Sequence, residues 1–165
     1  MDLKNFEKVI NENKDNLLRF AFYRIGSYEN ALDITQEVFI KCYEKNIDFV
    51  DIEKPKSFLY KTIYNACIDY NRKRKLNTVS FDKNSFNIAS NEINEIEISE
   101  EFVRINALLQ KIPDTQSEVV RLRIIDQVSF NEIAKILDIQ VATVKSRFKY
   151  GINKLKMFYL KKQEA

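Results

Sequence analysis

Residues 129–150 read SFNEIAKILDIQVATVKSRFKY and predict two helices joined by a tight turn. Ser129 and Glu132 have the spacing of a capping box, in which each side chain satisfies the other residue's backbone N–H at a helix start. The apolar period of this helix ends at Leu137, three residues follow, and a longer helix begins near Val141. Ala134 is small enough to let the two helices pack closely. This pattern is typical of a helix-turn-helix.

The second of these helices has a strongly basic surface. Residues 141–156 contain five cations and no anion, whereas a solvated helix ordinarily carries both signs. Its buried stripe is predicted to be Val141, Val144, Phe148, Ile152 and Leu155. The remaining surface and its flank suit contact with a polyanion such as DNA. The residues predicted to make that contact are Thr143, Lys145, Ser146, Arg147, Lys149, Tyr150 and Lys154.

The net charge of +3 is unevenly distributed along the 165 residues. Residues 77–101 hold six acidic side chains and one basic one, and the segments on either side are net basic. Residues 77–94 are rich in Asn and Ser and keep no helical period, which predicts a flexible linker. The alternative is a helix that begins near residue 91. We therefore predict a domain at 1–76, an acidic linker at 77–101 and a domain at 102–165.

Composition excludes several classes of fold and function. The chain has only two glycines and two prolines, which favours helices over turn-rich β folds. It has no histidine, and two cysteines cannot fill a four-coordinate zinc site, so we expect no metal and no cofactor. No set of residues for catalysis is apparent. Since no apolar run approaches about 18 residues and the start does not read as a secretory signal, we expect a soluble cytoplasmic protein without membrane insertion.

The N-terminal block predicts three or four helices. Apolar residues recur at three- and four-residue steps up to Gly26, and Ser27 can cap a second helix that extends to about Lys45. A loop at 46–54 follows. Pro55 then stands where a first-turn proline is tolerated, and the last helix extends to about Lys75.

The helix at 28–45 has two distinct faces. Its predicted core stripe is Ala31, Ile34, Val38 and Cys42. The opposite face mixes apolar and polar side chains, namely Leu32, Asp33, Gln36, Ile40 and Tyr43. Such a mixture is typical of a surface that binds another protein. The alternative is a central helix that is buried on both sides.

The helix at 55–75 also has a mixed face. Its predicted core stripe is Leu59, Ile63, Ala66 and Tyr70. The opposite side presents Lys61, Tyr64, Asn65, Ile68, Arg72 and Lys75. Cations at a helix C-terminus are favoured by the helix dipole whatever the function. Aromatic and amide side chains among those cations, however, suit single-stranded nucleic acid, because phosphates bind the cations and bases stack on the rings.

Three motifs resemble the bacterial sigma factors, which direct RNA polymerase to promoters. Residues 31–39, ALDITQEVF, resemble the family's polymerase-binding helix, and residues 57–74, SFLYKTIYNACIDYNRKR, are similar to its promoter-melting helix. Residues 132–134 and 143–147 resemble its domain that reads the −35 element. The two-domain size is similar to the extracytoplasmic-function group. The resemblance implies an all-α fold, with a three- or four-helix region 2 bundle and a region 4 helix-turn-helix joined by the linker.

The resemblance also implies roles for matching residues. The β′ clamp helices of core RNA polymerase would contact Leu32, Asp33, Gln36, Glu37 and Ile40. The loop at 46–54 would capture a flipped −10 base. The residues that contact the −10 element would be Phe49, Lys56, Lys61, Tyr64, Asn65, Arg72, Lys73 and Lys75. The −35 duplex would meet the basic surface of the last helix. Further partners would be the polymerase β flap and, as a candidate, an anti-sigma factor, with no small-molecule substrate.

The sequence departs from the family pattern at a few positions. Phe58 stands where the family usually has Trp, and we expect it to fill the same core position. Asp138 replaces a small turn residue, Ala142 replaces a glycine and Gln140 replaces a capping serine, so the −35 sequence is not predicted. A rival interpretation is a stand-alone helix-turn-helix regulator that binds a palindrome as a dimer. That interpretation explains residues 105–160 and leaves the mixed face at 32–43 without a role.

Overall fold

The computed structural model describes residues 1–77 and 100–163, which form two helical units. The first unit consists of α1 (Leu3–Ile25), α2 (Tyr28–Glu44) and α3 (Pro55–Asn77). The second consists of α4 (Glu100–Leu109), α5 (Asp114–Ile124), α6 (Phe130–Leu137) and α7 (Val141–Gln163). These residues contain no strand, which confirms the all-α prediction. Residues 78–99 of the predicted linker, with the start of the alternative helix near residue 91, lie outside the described residues. The two ends of the predicted linker, at 77 and 100–101, belong instead to α3 and α4.

Local capping sets the helix ends of the first unit. The Asp2 carboxylate accepts from the backbone N–H of Lys4 at 3.0 Å and so caps α1. Gly26 ends α1 in the left-handed region at φ 75°, and its N–H donates to the Phe22 carbonyl. The Ser27 hydroxyl then accepts from the Asn30 N–H at 3.4 Å, as the sequence predicts. α1 packs against both α2 and α3.

The predicted core stripe of α2 is confirmed. All four of its members are buried, together with Thr35, whose hydroxyl donates to the Ala31 carbonyl at 2.7 Å. This hydrogen bond satisfies the buried Thr35 hydroxyl within α2 itself.

The core stripe of α3 differs from the prediction. Leu59 and Ile63 are buried as expected, but Tyr60 and Cys67 are also fully buried, while Ala66 and Tyr70 are only partly buried. The Tyr60 ring packs edge-on against Phe20 of α1, with 5.1 Å between ring centroids. This aromatic contact lies to one side of the predicted stripe, so the buried side of α3 is rotated toward it.

The second unit contains the predicted helix-turn-helix. The Ser129 hydroxyl accepts from the Glu132 N–H at 3.3 Å, and the Glu132 carboxylate accepts from the Ser129 N–H at 3.1 Å, so the capping box is confirmed. Asp138 ends α6 in the left-handed region at φ 56° and ψ 47°. Asp is one of the few L-residues that adopt this conformation at modest cost, which explains how it replaces a small turn residue. Phe130 packs edge-on against Phe148 and joins α6 to α7.

Gly151 of α7 is a packing determinant that sequence patterning did not single out. A Cβ atom built at this position would lie 2.8 Å from Val120 Cγ2 and 3.3 Å from Gln116 Cβ, both on α5. Val120 is 4% exposed and belongs to a core cluster with Leu109 and Ile112, so it has little room to move. The close approach of α5 to α7 therefore requires glycine here.

We predict that Gly151→Ala destabilises the protein. Overpacking costs about 1–3 kcal/mol, which exceeds the gain of about 1 kcal/mol from replacing glycine by alanine within a helix. The free energy of unfolding, measured by urea denaturation, should fall. The control is the same substitution in a Val120→Ala background, where Cγ2 is absent and the loss from Gly151→Ala should shrink. Equal losses in both backgrounds would contradict the clash.

We also predict that Ser129→Ala destabilises the second unit by about 1 kcal/mol, because the first N–H groups of α6 lose their acceptor. Ser129→Thr keeps a hydroxyl and should retain most of the stability. Ser146→Ala, at an exposed position inside α7, is the matched control and should cost nothing. A loss for Ser146→Ala as large as that for Ser129→Ala would count against the capping assignment.

Candidate functional site

The predicted protein-binding face of α2 lies on the surface. Asp33, Gln36 and Glu37 are exposed, Ile40 is 56% exposed, and Leu32 is partly buried. Tyr43 continues the same face and is 53% exposed. The alternative of a helix buried on both sides is wrong, because the other face alone carries the core stripe. α2 therefore presents two large apolar side chains to solvent among acid and amide groups.

One ion pair organises part of this face. Lys41 Nζ lies 2.6 Å from Glu37 Oε1, one helical turn away. The hydrogen bond from Lys41 holds the pKa of Glu37 below its usual value, and the same bond raises the pKa of Lys41. Both side chains are exposed, so the pair contributes little to stability. It fixes the Glu37 carboxylate toward the C-terminal half of α2.

The loop after α2 corrects one predicted site residue. Phe49 is 3% exposed, and its ring stacks on Phe6 of α1 at 5.3 Å and meets the edge of Phe58 at 6.2 Å. A base cannot stack on this ring, so the prediction that Phe49 contacts DNA is corrected: it anchors the loop to the core. The contact with Phe6 joins residues far apart in sequence, which periodicity does not reveal. Phe58, expected in a core position, is only partly buried and reaches the core through its contact with Phe49.

The Asp48 side chain holds the tip of that loop. The Asp48 carboxylate accepts from the Val50 N–H at 3.1 Å, and this bond lowers the pKa of Asp48. Asn46 turns the chain in the left-handed region at φ 49°. Val50 is 67% exposed at the tip. The loop thus presents one apolar side chain above a buried aromatic anchor.

The mixed face of α3 is accessible along most of its length. Asn65 and the basic residues Arg72, Lys73 and Lys75 are exposed, while Lys56, Lys61 and Tyr64 are partly buried. Lys61 Nζ lies 5.8 Å from the centre of the Tyr64 ring. Arg72 also pairs with Asp69 at 3.1 Å on the surface. α3 therefore brings together cations, an amide and an aromatic ring, which can bind phosphates and bases respectively.

Arg24 of α1 lies behind this face, and sequence patterning did not assign it to the site. Its guanidinium carbon is 4.3 Å from the centre of the Tyr64 ring and 5.2 Å from that of Phe20. Burial lowers the pKa of Arg24, and interactions with Tyr64 and Cys67 partly oppose this shift. The arginine is four residues after Phe20 on one helix, but its contact with α3 is tertiary.

The polar surface of α7 also lies where it was predicted. Lys145, Ser146, Lys149 and Lys154 are exposed, and Tyr150 is 61% exposed. Thr143 and Arg147 are partly buried at the edges of this surface. On the opposite side Val144 and Gly151 are buried, and Phe148, Ile152 and Leu155 pack against the core of the unit. One side of α7 is thus available to a ligand of negative charge.

Residues 1–77 and 100–163 contain neither a metal-binding cluster nor a membrane-spanning helix. No group of three His, Cys, Asp or Glu side chains there could hold a metal ion. No helix in those residues is long and apolar enough to cross a membrane. Cys42 and Cys67 are buried, and burial raises the pKa of both thiols, that of Cys67 to about 11.

The chain is similar in sequence to known proteins over most of its length. Residues 9–76 match the family model for sigma-70 region 2, and residues 102–155 match that for sigma-70 region 4. The ECF RNA polymerase sigma factor SigW of Bacillus subtilis (strain 168) is 32% identical over 162 residues, which cover 91% of this chain and 86% of SigW. SigM of the same organism is 26% identical, with 88% of this chain and 89% of SigM covered.

Two solved structures share the fold. The sigma factor RpoE of Bartonella quintana, in complex with the anti-sigma factor NepR, matches with a TM-score of 0.71 at 19% identity, covering 94% of this chain and 96% of RpoE. CnrH, in complex with the cytosolic domain of CnrY, matches with a TM-score of 0.63 at 19% identity, covering 96% and 89%.

The family models together span most of the chain, in the order region 2 then region 4, and each coincides with one helical unit. The identity with SigW extends across both units. The chain belongs to the sigma-70 family of RNA polymerase sigma factors and, within it, to the extracytoplasmic-function group.

Proposed function

We propose that this sigma factor divides its work between its two units. The first binds core RNA polymerase and holds the −10 element as a single strand, and the second binds the −35 element as duplex. The observation that carries the proposal is the face of α2, where exposed Ile40 and Tyr43 lie opposite a fully buried stripe. Large apolar side chains with polar neighbours are typical of a protein interface.

On α2, the polymerase would contact the apolar residues for affinity and the polar residues for register. Asp33 and Gln36 are exposed one turn apart, and Glu37 is oriented by Lys41. We assign these residues, with Leu32 and Ile40, to the β′ clamp. The β flap would bind the second unit, in keeping with the family resemblance.

On α3, the promoter strand would follow the mixed face. Arg72, Lys73 and Lys75 would bind phosphates, Asn65 would hydrogen-bond a base, and Tyr64 would stack on one. Lys56 and Lys61 extend the basic surface toward the loop at 46–54. In this assignment the loop captures a flipped base with its exposed tip at Val50, and Phe49 supports the tip from below.

On α7, the exposed side chains would enter the major groove of the −35 duplex. Lys145, Ser146, Lys149 and Tyr150 are on the central surface and would reach base edges, with Thr143 beside them. Arg147 and Lys154 would bind phosphates on the flanks. The capping box at Ser129 fixes the start of α6, on which α7 rests.

No covalent step is assigned to the chain. Promoter opening costs base pairing and stacking, and the captured bases offset this cost by roughly 1–3 kcal/mol for each stacking contact. The two DNA-binding units act on one promoter, so binding of one raises the effective concentration of the other. Association with duplex DNA should weaken with salt by a log–log slope of about −0.9 for each phosphate neutralised.

Regulation and location follow from the same assignment. RpoE, which shares the fold, is seen in complex with the anti-sigma factor NepR, and CnrH is seen in complex with the cytosolic domain of CnrY. We therefore propose an anti-sigma factor as a candidate partner of this chain. Since polymerase and promoter DNA are its targets, the protein would act in the cytoplasm. A stand-alone regulator is not favoured, because it leaves the exposed face of α2 without a partner.

We predict that Asp33→Ala combined with Gln36→Ala weakens binding to core polymerase by about tenfold, because two central polar contacts are lost. Biolayer interferometry with purified core enzyme measures this affinity. Both residues are exposed, so the helix content seen by circular dichroism should not change.

The matched control is Glu7→Ala with Asn11→Ala, which removes an exposed acid and an exposed amide one turn apart on α1. This control should bind core polymerase normally. The interface would be misplaced if the α2 variant bound as tightly as the control.

We predict that Lys149→Ala lowers affinity for a −35 duplex by roughly five- to tenfold and leaves polymerase binding unchanged. The duplex is taken from a promoter selected by transcription in vitro on a genomic fragment library. Lys161→Ala is the control, since it removes a cation about 18 Å farther along the same helix. Equal losses for both variants would indicate nonspecific attraction rather than groove contact.

A further inference from the structure

Arg24 occupies an unusual position for a cation. It lies in the last turn of α1, where the helix dipole favours positive charge. The dipole does not require burial, yet the guanidinium Nε and one terminal nitrogen have no contact with solvent. Burying a charged group is costly unless its surroundings compensate. The compensation here includes two aromatic rings, Phe20 on its own helix and Tyr64 on α3.

The position of this arginine is fixed by the structure around it. The Asn71 side-chain amide donates to the Arg24 carbonyl at 3.4 Å and so joins the end of α1 to α3. Gly26 closes the helix directly afterwards through its bond to Phe22. Cys67, fully buried on α3, lies near enough to influence the pKa of Arg24. The backbone at Arg24 is therefore tied to α3, and its guanidinium contacts a ring from each helix, Phe20 of α1 and Tyr64 of α3.

Within the candidate site, Tyr64 is the residue whose ring Arg24 contacts and restrains. With Arg24 4.3 Å from its centre, the ring has a cation against it on the side of α1. The ring remains partly exposed, and the next residue, Asn65, is exposed. A planar guanidinium stacks on an aromatic ring with a defined geometry that a lysine ammonium does not reproduce. The contact with Arg24 thus limits the orientations that the Tyr64 ring can adopt beside the Asn65 side-chain amide.

We propose that Arg24 is a positioning residue for capture of the melted −10 strand, acting by holding the Tyr64 ring ready to stack on a base. This inference rests on the proposed role of α3. A ring that is already oriented loses less side-chain entropy when a base stacks on it, so capture is tighter. Arg24 itself does not touch DNA in this account, in contrast to the surface cations of α3.

The test compares Arg24→Met and Arg24→Lys in the full chain bound to core polymerase. The promoter, selected as above, carries 2-aminopurine in its −10 strand, so that fluorescence reports the open complex. We expect Arg24→Met to lower the equilibrium constant for opening roughly tenfold and Arg24→Lys to recover only part of it. Polymerase affinity should not change. Opening at the normal level for Arg24→Met would overturn the proposal.

A double-mutant cycle with Tyr64→Ala separates positioning from a general loss of stability. If Arg24 acts through the ring, Arg24→Met should have no further effect on opening once Tyr64 is alanine. Tyr64→Phe keeps the ring and loses the hydroxyl that hydrogen-bonds Arg24, so it should retain part of the effect. Additive losses would overturn the proposal. Ile25→Val, a neighbouring core truncation, is the control for stability and should leave opening unchanged.

The salt dependence of opening distinguishes Arg24 from a phosphate contact. A positioning residue should leave the log–log salt slope unchanged, whereas loss of a direct contact to a single strand reduces it by about 0.7. Arg72→Ala serves as the reference, because it removes a surface cation. If Asn65→Ala and Arg72→Ala both leave opening intact, the proposed role of α3 fails. If they impair opening and Arg24→Met does not, only the present inference fails.

Discussion

In the three-helix first unit α1 packs against both of its neighbours, whereas α2 buries only one of its faces, and this asymmetry governs how the first unit works. α2 uses its small and branched residues, Ala31, Ile34 and Val38, to pack on its neighbours. Burial of those side chains supplies the stability of the unit. Ile40 and Tyr43 stay more than half exposed, although the Tyr43 ring also meets Phe6 of α1 edge-on, with 6.0 Å between ring centroids. Exposed large apolar groups beside acids and amides are therefore best explained by a partner surface that covers them in the complex.

The second unit also leaves one side of a helix, α7, exposed, but different interactions position that helix. Three of its four helices are short, with 10, 11 and 8 residues, so helix ends and close approaches contribute a larger share of their packing. The capping box begins α6, Asp138 ends it in a left-handed turn, and Gly151 lets α7 approach α5 closely. These local devices fix α7 along one side and leave the other side, with its lysines, exposed. A rigid helix with one free basic side is what groove binding requires.

Sequence patterning predicts the features that depend on neighbouring residues. The capping box at Ser129, the cap at Ser27 and the core stripe of α2 each follow from spacing within one helix or turn, and each is confirmed. The features it misses depend on contacts between helices. Phe49 is buried by Phe6, and Tyr60 is buried by Phe20, so neither position follows from helical period alone. For the same reason the steric role of Gly151 was not apparent.

Arg24 shows why these missed contacts matter for the site as well as the fold. Within α1 alone, Arg24 is an ordinary cation in the last turn of a helix, where the helix dipole is enough to explain its charge. Only the packing of α1 on α3 brings it against Tyr64. The residues proposed to contact promoter DNA were chosen by their charge and their position on exposed helix faces. Residues that orient those side chains, such as Arg24, are buried beneath them. Because burying a charge is costly, a buried cation such as Arg24 indicates a functional role for the residue that it contacts, here Tyr64.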